Sequence, residues 1–179
     1  MPGIHGLVVN TKAHIRQSLL ALAKHRTSDA VALAHALLNT PAIQNATHIG
    51  VYMALPSEPS LSQFIHTVRV SLALPAYDES IKRYVFRTFI PNKTSLSLGG
   101  DGCLAPGSNS PVIPQLDVIV VPCVAVDKQG NRLGRGQGVY DQLLADHPTY
   151  AIGIVHEAHV LDQVPVEPHD QPVQAIIHG

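Results

Sequence analysis

The stretch that most constrains the fold is VVPCVAVDKQGNRLGRGQGVYDQLL, an apolar run from Val120 to Val126 that leads into three glycines at alternate positions. These are Gly134, Gly136 and Gly138, with Arg132 and Arg135 among them, and the following VYDQLLAD reads as a helix. Strand, glycine loop and helix in that order form a cradle for anions. Glycine lacks a Cβ, so successive N–H groups can close on one ligand, and the helix N-terminus adds donors and a favourable dipole. Two common phosphate patterns are not met. A P-loop needs Lys then Ser or Thr at the end of its glycine run, whereas Gly138 is followed by Val139 and Tyr140; a dinucleotide fingerprint needs GxGxxG, and this is GxGxG. Read alone, the loop is equally a flexible turn. Arg132, Arg135 and Asp141, the last a hard oxygen donor suited to Mg²⁺, favour the anion site.

The rest of the chain alternates the same two element types. Helical periodicity runs through Ile15, Leu19, Leu22 and Ala23, and a second helix is expected from about 28 to 38 after the polar break HRTSD. HIGVYMALP is a strand ending at a proline, and SEPSLSQFIHTV opens a helix, with Ser60 and Gln63 at capping-box spacing. VSLALP, YVFRTF, DVIVVP and YAIGIV add strands, while residues 91–115, rich in Gly, Ser, Pro and Asn, read as a long irregular connection lying over a site. Continuous aliphatic strands between helices indicate an α/β domain of three layers, with a mostly parallel, Rossmann-like sheet flanked by helices. Ligands in such sheets collect beyond the strand C-termini, which would bring Glu58 and the glycine loop to one rim.

Composition narrows the function. A chain of 179 residues suits one domain, here 1–179, and 45% hydrophobic with 14% charged residues suits a compact enzyme. A formal net charge of −1 offers no general attraction for nucleic acid or an anionic membrane. The longest apolar stretches are about half the ~20 residues of a spanning helix, and MPGIHGLVVNTK lacks the plan of an export signal. A cytoplasmic location is expected. Cys103 and Cys123 form no CxxC pair and read as small buried hydrophobes. Eleven histidines are many, yet His156, His159 and His169 come with no zinc framework, so scattered surface histidines, and others supporting a site from behind its ligands, are the expectation. Lys12 and Arg16 stand four apart on one helix face, either an anion clamp or solvated surface.

Taken together, several short motifs resemble the 5-formyltetrahydrofolate cyclo-ligase family, also called methenyltetrahydrofolate synthetases. They are K-x-x-x-R at Lys12 and Arg16, Y-x-x-x-P-x-E ending at Glu58, LPAY from Leu74 to Tyr77, DVIVVP with GNRLGRGQGVYD, and VPVEPHD ending at Asp170. The GNRLGRGxG core is the most diagnostic. The resemblance implies a domain of the NagB/RpiA/CoA-transferase-like type. It also implies conversion of 5-formyltetrahydrofolate to 5,10-methenyltetrahydrofolate, with ATP as co-substrate, Mg²⁺ as cofactor and a phosphorylated formyl (imidate) intermediate. Only small-molecule partners follow from it, with a monomer expected and a homodimer left open.

Carried over, the resemblance gives Lys12, Arg16 and the run Arg132, Leu133, Gly134, Arg135, Gly136, Gln137, Gly138, Val139 and Tyr140 to ATP. It gives Met53, Glu58 and the part of that run from Arg135 to Val139 to the folate, Arg135 and Tyr140 to catalysis, and Asp141 and Asp170 to the metal. Departures from the family pattern fall at Val139, where a tyrosine is usual, at Cys123, where glycine is common, and at LAPG near Pro106. His159, Gln174 and His178 also differ from customary residues. Two other readings remain beside the cyclo-ligase: a diverged nucleotide- or folate-binding protein without efficient catalysis, and an ATP-dependent phosphotransferase acting on another small amide.

Overall fold

The computed structural model describes residues 11–23 and 28–179; the N-terminal stretch expected to lack an export signal and part of the HRTSD break lie outside them. The elements in chain order are α1 (Lys12–Ala23), α2 (Ala30–Leu38), α3 (Pro41–Gln44), β1 (His48–Gly50), α4 (Ser62–Thr67), β2 (Ser71–Asp78) and β3 (Arg83–Phe89). They continue as β4 (Leu96–Leu98), β5 (Leu104–Pro106), β6 (Val118–Pro122), β7 (Ala125–Asp127), β8 (Arg132–Leu133), α5 (Val139–Asp146), β9 (Tyr150–Val155), β10 (Val160–Leu161) and β11 (Ala175–His178).

Among the described residues the central sheet has six strands in the order β11-β9-β6-β1-β2-β3. All pairs are parallel except β2 with β3. The alternation of side chains along a strand builds the three expected layers. Val118 and Val120 of β6 point to one face, packing with Leu33 and Leu37 of α2 and Phe64 of α4. Ile119 and Val121 point to the other, with Leu143 of α5 and Phe86. Both faces are therefore apolar, which is why the strands read as unbroken aliphatic runs. Packing is close enough on the second face that a Cβ on Gly50 would lie 2.8 Å from the Phe86 ring.

Strand order reverses at β1, which pairs with β2 on one side and β6 on the other. The crevice beyond the C-terminal ends of β1 and β6 is thus the switch point where open α/β sheets bind ligands. The MALPSEP loop leaves β1 there, and Pro122 ends β6 there.

Several local expectations are corrected. The second helix starts at Ala30, because Asp29 caps it by accepting from Val31 N and Ala32 N, both at 3.0 Å. The Ser60–Gln63 capping box does not form: Ser60 N donates to Ser28 Oγ at 3.2 Å and Gln63 Nε2 to Thr67 Oγ1 at 3.4 Å. Leu22 is exposed, whereas Ala23 is buried. The DVIVVP strand ends at Pro122 as expected, and the apolar run to Val126 holds a second strand that is not expected from the sequence. After Pro122 the chain turns into β7, which pairs antiparallel with β8 and parallel with β10 in a separate small sheet. Residues 91–115 are not wholly irregular, since β4 and β5 form an antiparallel hairpin. His156 and His159 are buried rather than on the surface, their rings edge to face with centroids 5.5 Å apart.

Candidate active site

The tight turn between β7 and β8 sets up the glycine loop. Asp127 is fully buried and accepts from Gln129 N, Asn131 N, Asn131 Nδ2 and Val164 N, each at 3.0 Å. Burial alone would raise its carboxyl, but these donors outweigh it and hold the group below the ordinary value. A carboxylate so saturated is structural. It fixes the turn so that β8 delivers Arg132 and Leu133 to the start of the loop. Leu133 points into the core, leaving only its backbone for a ligand. Gly136 and Gly138 take the left-handed φ values of +95° and +68°, and Gly138 precedes the first turn of α5.

Helix α1 lies against this loop, so the Lys12–Arg16 face is not free surface. Arg16 Nε donates to Gly134 O at 2.8 Å, and its guanidinium packs over Gly136. One turn earlier, Lys12 Nζ donates to Asp170 Oδ2 at 2.5 Å and Glu167 Oε2 at 2.7 Å. Burial of Asp170 acts to raise its carboxyl, but Lys12 and Glu167 N outweigh it and keep the group below the usual range. Lys12 in turn loses some stability of charge to burial and regains more from the two acids, so its ammonium titrates higher than an ordinary lysine.

Arg132 and Asp141 make the second ion pair. Arg132 Nη2 donates to Asp141 Oδ1 at 2.6 Å, its Nε donates to Gln171 O at 3.1 Å, and Gln171 N donates back to Asp141 Oδ1 at 3.1 Å. The two acids expected to bind metal are thereby tied together through the residue after Asp170. The tightest set of potential ligands is, however, Glu167, His169 and Asp170, whose donor atoms lie within 4.8 Å of one another; Asp141 stands outside it. The carboxylates of this set suit a hard divalent cation, whereas an imidazole suits a borderline transition metal.

At the other end of the cleft, Glu58 is nearly buried, its side chain 9% exposed. Leu55 N donates to Glu58 Oε2 at 3.0 Å, and Arg135 Nη1 lies 3.8 Å from Oε1 while donating to Ser57 Oγ at 2.8 Å. Burial raises the Glu58 carboxyl, opposed by the Leu55 amide and Arg135. The Glu58 loop is fixed from below by Tyr52, whose hydroxyl donates to Pro59 O at 2.7 Å. Tyr140 is partly buried and packs against both core clusters, and burial, reinforced by Glu58, pushes its hydroxyl well up, so it is a donor and not a base.

All fifteen residues singled out from the sequence, Met53 and Gln137 included, border one cleft of about 550 Å³. Sequence reasoning missed others along the same cleft. Glu167 sits in VPVEPHD, three residues before Asp170, and that spacing was a usable signal. Asp101, Cys103 and Leu104 reach the cleft from the β4–β5 hairpin, and no local pattern announces them. Cys103 is half-buried rather than core; burial, with Asp101 and Glu58 acting the same way, pushes its thiol up to about 11.

Fold and cleft together define a class: α/β proteins with a basic, glycine-lined cleft at the sheet's switch point, one end of it acidic. Within that class, the sequence profile of the 5-formyltetrahydrofolate cyclo-ligase family matches residues 8–179, and the chain belongs to that family. It is 30% identical over 175 residues to the Haemophilus influenzae 5-formyltetrahydrofolate cyclo-ligase, covering 92% of each chain. It is 23% identical over 188 residues to the mouse enzyme of that name, covering 93% and 91%. The Aquifex aeolicus 5,10-methenyltetrahydrofolate synthetase structure superposes with a TM-score of 0.81 at 22% identity, covering 93% of this chain and 89% of the other. That likeness shows the fold. No helix among the described residues is long and apolar enough to cross a membrane.

Proposed function

We propose that this chain catalyses the ATP- and Mg²⁺-dependent cyclisation of 5-formyltetrahydrofolate to 5,10-methenyltetrahydrofolate, releasing ADP and phosphate. The observation that carries the reading is the meeting, in one cleft, of a cationic glycine loop, a carboxylate cluster and a buried acid with a neutral tyrosine beside it. The glycine loop from Arg132 to Tyr140, with Lys12 and Arg16, would hold the triphosphate. Glu58, Met53 and the loop from Arg135 to Val139 would border the folate, Glu58 accepting from N–H donors of its bicyclic ring.

A formamide oxygen is a poor leaving group. Transfer of the γ-phosphoryl to that oxygen breaks the bond to ADP and gives an imidate carrying phosphate. N10 of the same folate then forms a bond to the formyl carbon, loses its proton, and phosphate departs with the former formyl oxygen. The protein's contribution is alignment and charge neutralisation. Arg135, with a partly exposed side chain beside Glu58, can follow the phosphoryl group between the two ligands. Tyr140, kept protonated, can donate to developing negative charge. The carboxylates Asp141 and Asp170 suit Mg²⁺, which would supply charge neutralisation on the phosphates.

The same reading makes the protein a cytoplasmic monomer acting on small molecules, in keeping with two free thiols. The test is the absorbance rise of methenyltetrahydrofolate on mixing the protein with 5-formyltetrahydrofolate and MgATP. A rise that disappears without ATP or without metal supports the assignment. ATP binding without turnover replaces it with a binding protein, the alternative suggested by Val139. Turnover of ATP insensitive to folate analogues would instead indicate a phosphotransferase on another amide.

A further inference from the structure

The β4–β5 hairpin brings Asp101, Cys103 and Leu104 to the cleft, while α5 brings Val139, Tyr140 and Asp141. Besides the packing of Leu96 on the core and the backbone bond from Gly99 N to Cys103 O at 2.8 Å, side chains hold the hairpin at two places. Near its base, Arg87 Nη1 donates to Ser108 O at 3.1 Å and Ser110 O at 2.7 Å, and Nη2 to Asp78 Oδ2 at 2.6 Å, fastening the returning strand to the sheet. At its tip, Asp101 Oδ1 accepts from Cys103 N at 3.0 Å, and Asp101 Oδ2 accepts from the Tyr84 hydroxyl at 2.9 Å.

Tyr84 is the meeting point of these walls without bordering the cleft itself. Its backbone is clasped from the α5 side by Gln142, with Tyr84 N donating to Oε1 at 2.9 Å and Nε2 donating to Tyr84 O at 3.0 Å. An unbroken relay therefore runs from α5 through Gln142, Tyr84 and Asp101 to the backbone of Cys103. Within the tip, Gly99 N donates to Cys103 O at 2.8 Å and Gly102 N to Gly99 O at 3.0 Å, but these bonds only close the turn on itself; Gly100 has open space around it and Leu98 is 71% exposed, so the Tyr84 bond is what ties the turn to the sheet.

We propose that Tyr84 is a positioning residue that fixes the separation of the hairpin wall from helix α5, and with it the fit of the second substrate beside the glycine loop. The inference rests on the proposed cyclo-ligase reading for the identity of that substrate. It does not rest on it for the mechanics of the wall. Because Arg87 secures the base independently, loss of the Tyr84–Asp101 bond frees only the tip. The triphosphate end, built from α1, the loop and the 167–171 segment, shares no element with the hairpin.

The variant is Tyr84→Phe, which keeps the edge-to-face packing of this ring on Tyr77 at 5.3 Å and removes only the hydroxyl. Two readouts follow. The alkylation rate of Cys103 by iodoacetamide should rise about fivefold or more, since a hydrogen bond to a charged group is lost at the tip, while buried Cys123 stays silent. The KM for 5-formyltetrahydrofolate should rise about five- to tenfold with the KM for ATP unchanged. Unchanged alkylation overturns the proposal, as does an equal rise in both KM values, which a merely structural role would produce. If the wild-type protein turns over no 5-formyltetrahydrofolate, the functional reading falls, and the alkylation arm alone decides the role of Tyr84. Should Tyr84→Phe fail to fold, Asp101→Asn weakens the same bond from the other side and repeats both readouts.

Discussion

Replacing Gly136 by alanine perturbs the loop at the point where the structure leaves least room. Its φ of +95° lies outside the range L-residues adopt readily, and a Cβ there would stand 3.1 Å from Arg16 Cζ and 3.2 Å from Nη1. A non-glycine residue in so sparse a region costs about 1–3 kcal/mol. Arg16 must also yield by a few tenths of an ångström, straining its 2.8 Å bond to Gly134 O. The loop is exposed, so the free protein can relax by letting it move, and the cost then reappears when a ligand demands the original conformation. At about 1.4–2.7 kcal/mol the apparent affinity for ATP falls about tenfold to a hundredfold, because only that fraction of molecules is competent. Titration calorimetry with a slowly hydrolysed ATP analogue measures it, with Gly100→Ala as the control, since a Cβ there meets nothing within 4 Å. The melting temperature should move by less than about 3 °C. Wild-type affinity in Gly136→Ala would refute the argument that this glycine holds the binding geometry.

Glu58→Gln should stabilise the protein at neutral pH while weakening folate binding. Burial raises this carboxyl above its ordinary value of 4.5, so the native state holds its proton longer than the unfolded chain, and stability falls as pH rises through that window. The gain in melting temperature should therefore be present at pH 7 and vanish as pH drops below 4.5; a gain that persists in acid would show that charge burial is not the cause. Lys12→Met should tighten metal binding in the absence of nucleotide by about fivefold, as it frees Asp170 and Glu167, while weakening ATP; terbium luminescence and calorimetry read the two separately, and loss of both affinities would contradict the paired roles. Asp141→Asn should abolish turnover and also lower stability by about 2 kcal/mol, because the Arg132 side chain is only 3% exposed and loses its counter-charge, which thermal denaturation checks against an unchanged far-UV spectrum.

The sequence announced the parts of this molecule whose signals are local. Aliphatic strands between helices foretold a two-faced parallel sheet, and a glycine loop after one strand with Glu58 after another foretold a shared rim. Both rest on periodicity and chain direction, which act over a few residues. The hidden parts depend on contacts between distant segments. Nothing near Tyr84 marks it as a partner for Asp101, seventeen residues on, or for Gln142, fifty-eight residues on. DVIVVP marks the strand that ends at Pro122, but the turn from β7 into β8 depends on Asp127 finding a donor in the distant Val164 N as well as in its neighbours. The Ser60–Gln63 spacing was a genuine capping signal that lost to a tertiary partner, Ser28, for the same N–H.

Two of the cleft's cations share a common logic under the proposed roles. Each is meant for phosphate and rests on an acid meant for metal or on its neighbour: Lys12 on Asp170 and Glu167, Arg132 on Asp141. Unpaired, these charges would repel within each set and resist burial, so the pairing keeps a closely charged cleft stable before ligands arrive. A divalent cation alone must compete with Lys12 for Asp170, and a triphosphate alone must draw Lys12 away and leave that acid uncompensated. Arriving together, metal and triphosphate replace both halves of the pair with partners of the right sign. The exchange leaves neither half of the pair without a partner of opposite sign and makes the combined ligand bind better than its parts predict. Arg16 is outside this exchange, since its Nε is already committed to Gly134 O and its guanidinium to the loop; it shapes the cradle that the exchanging charges fill.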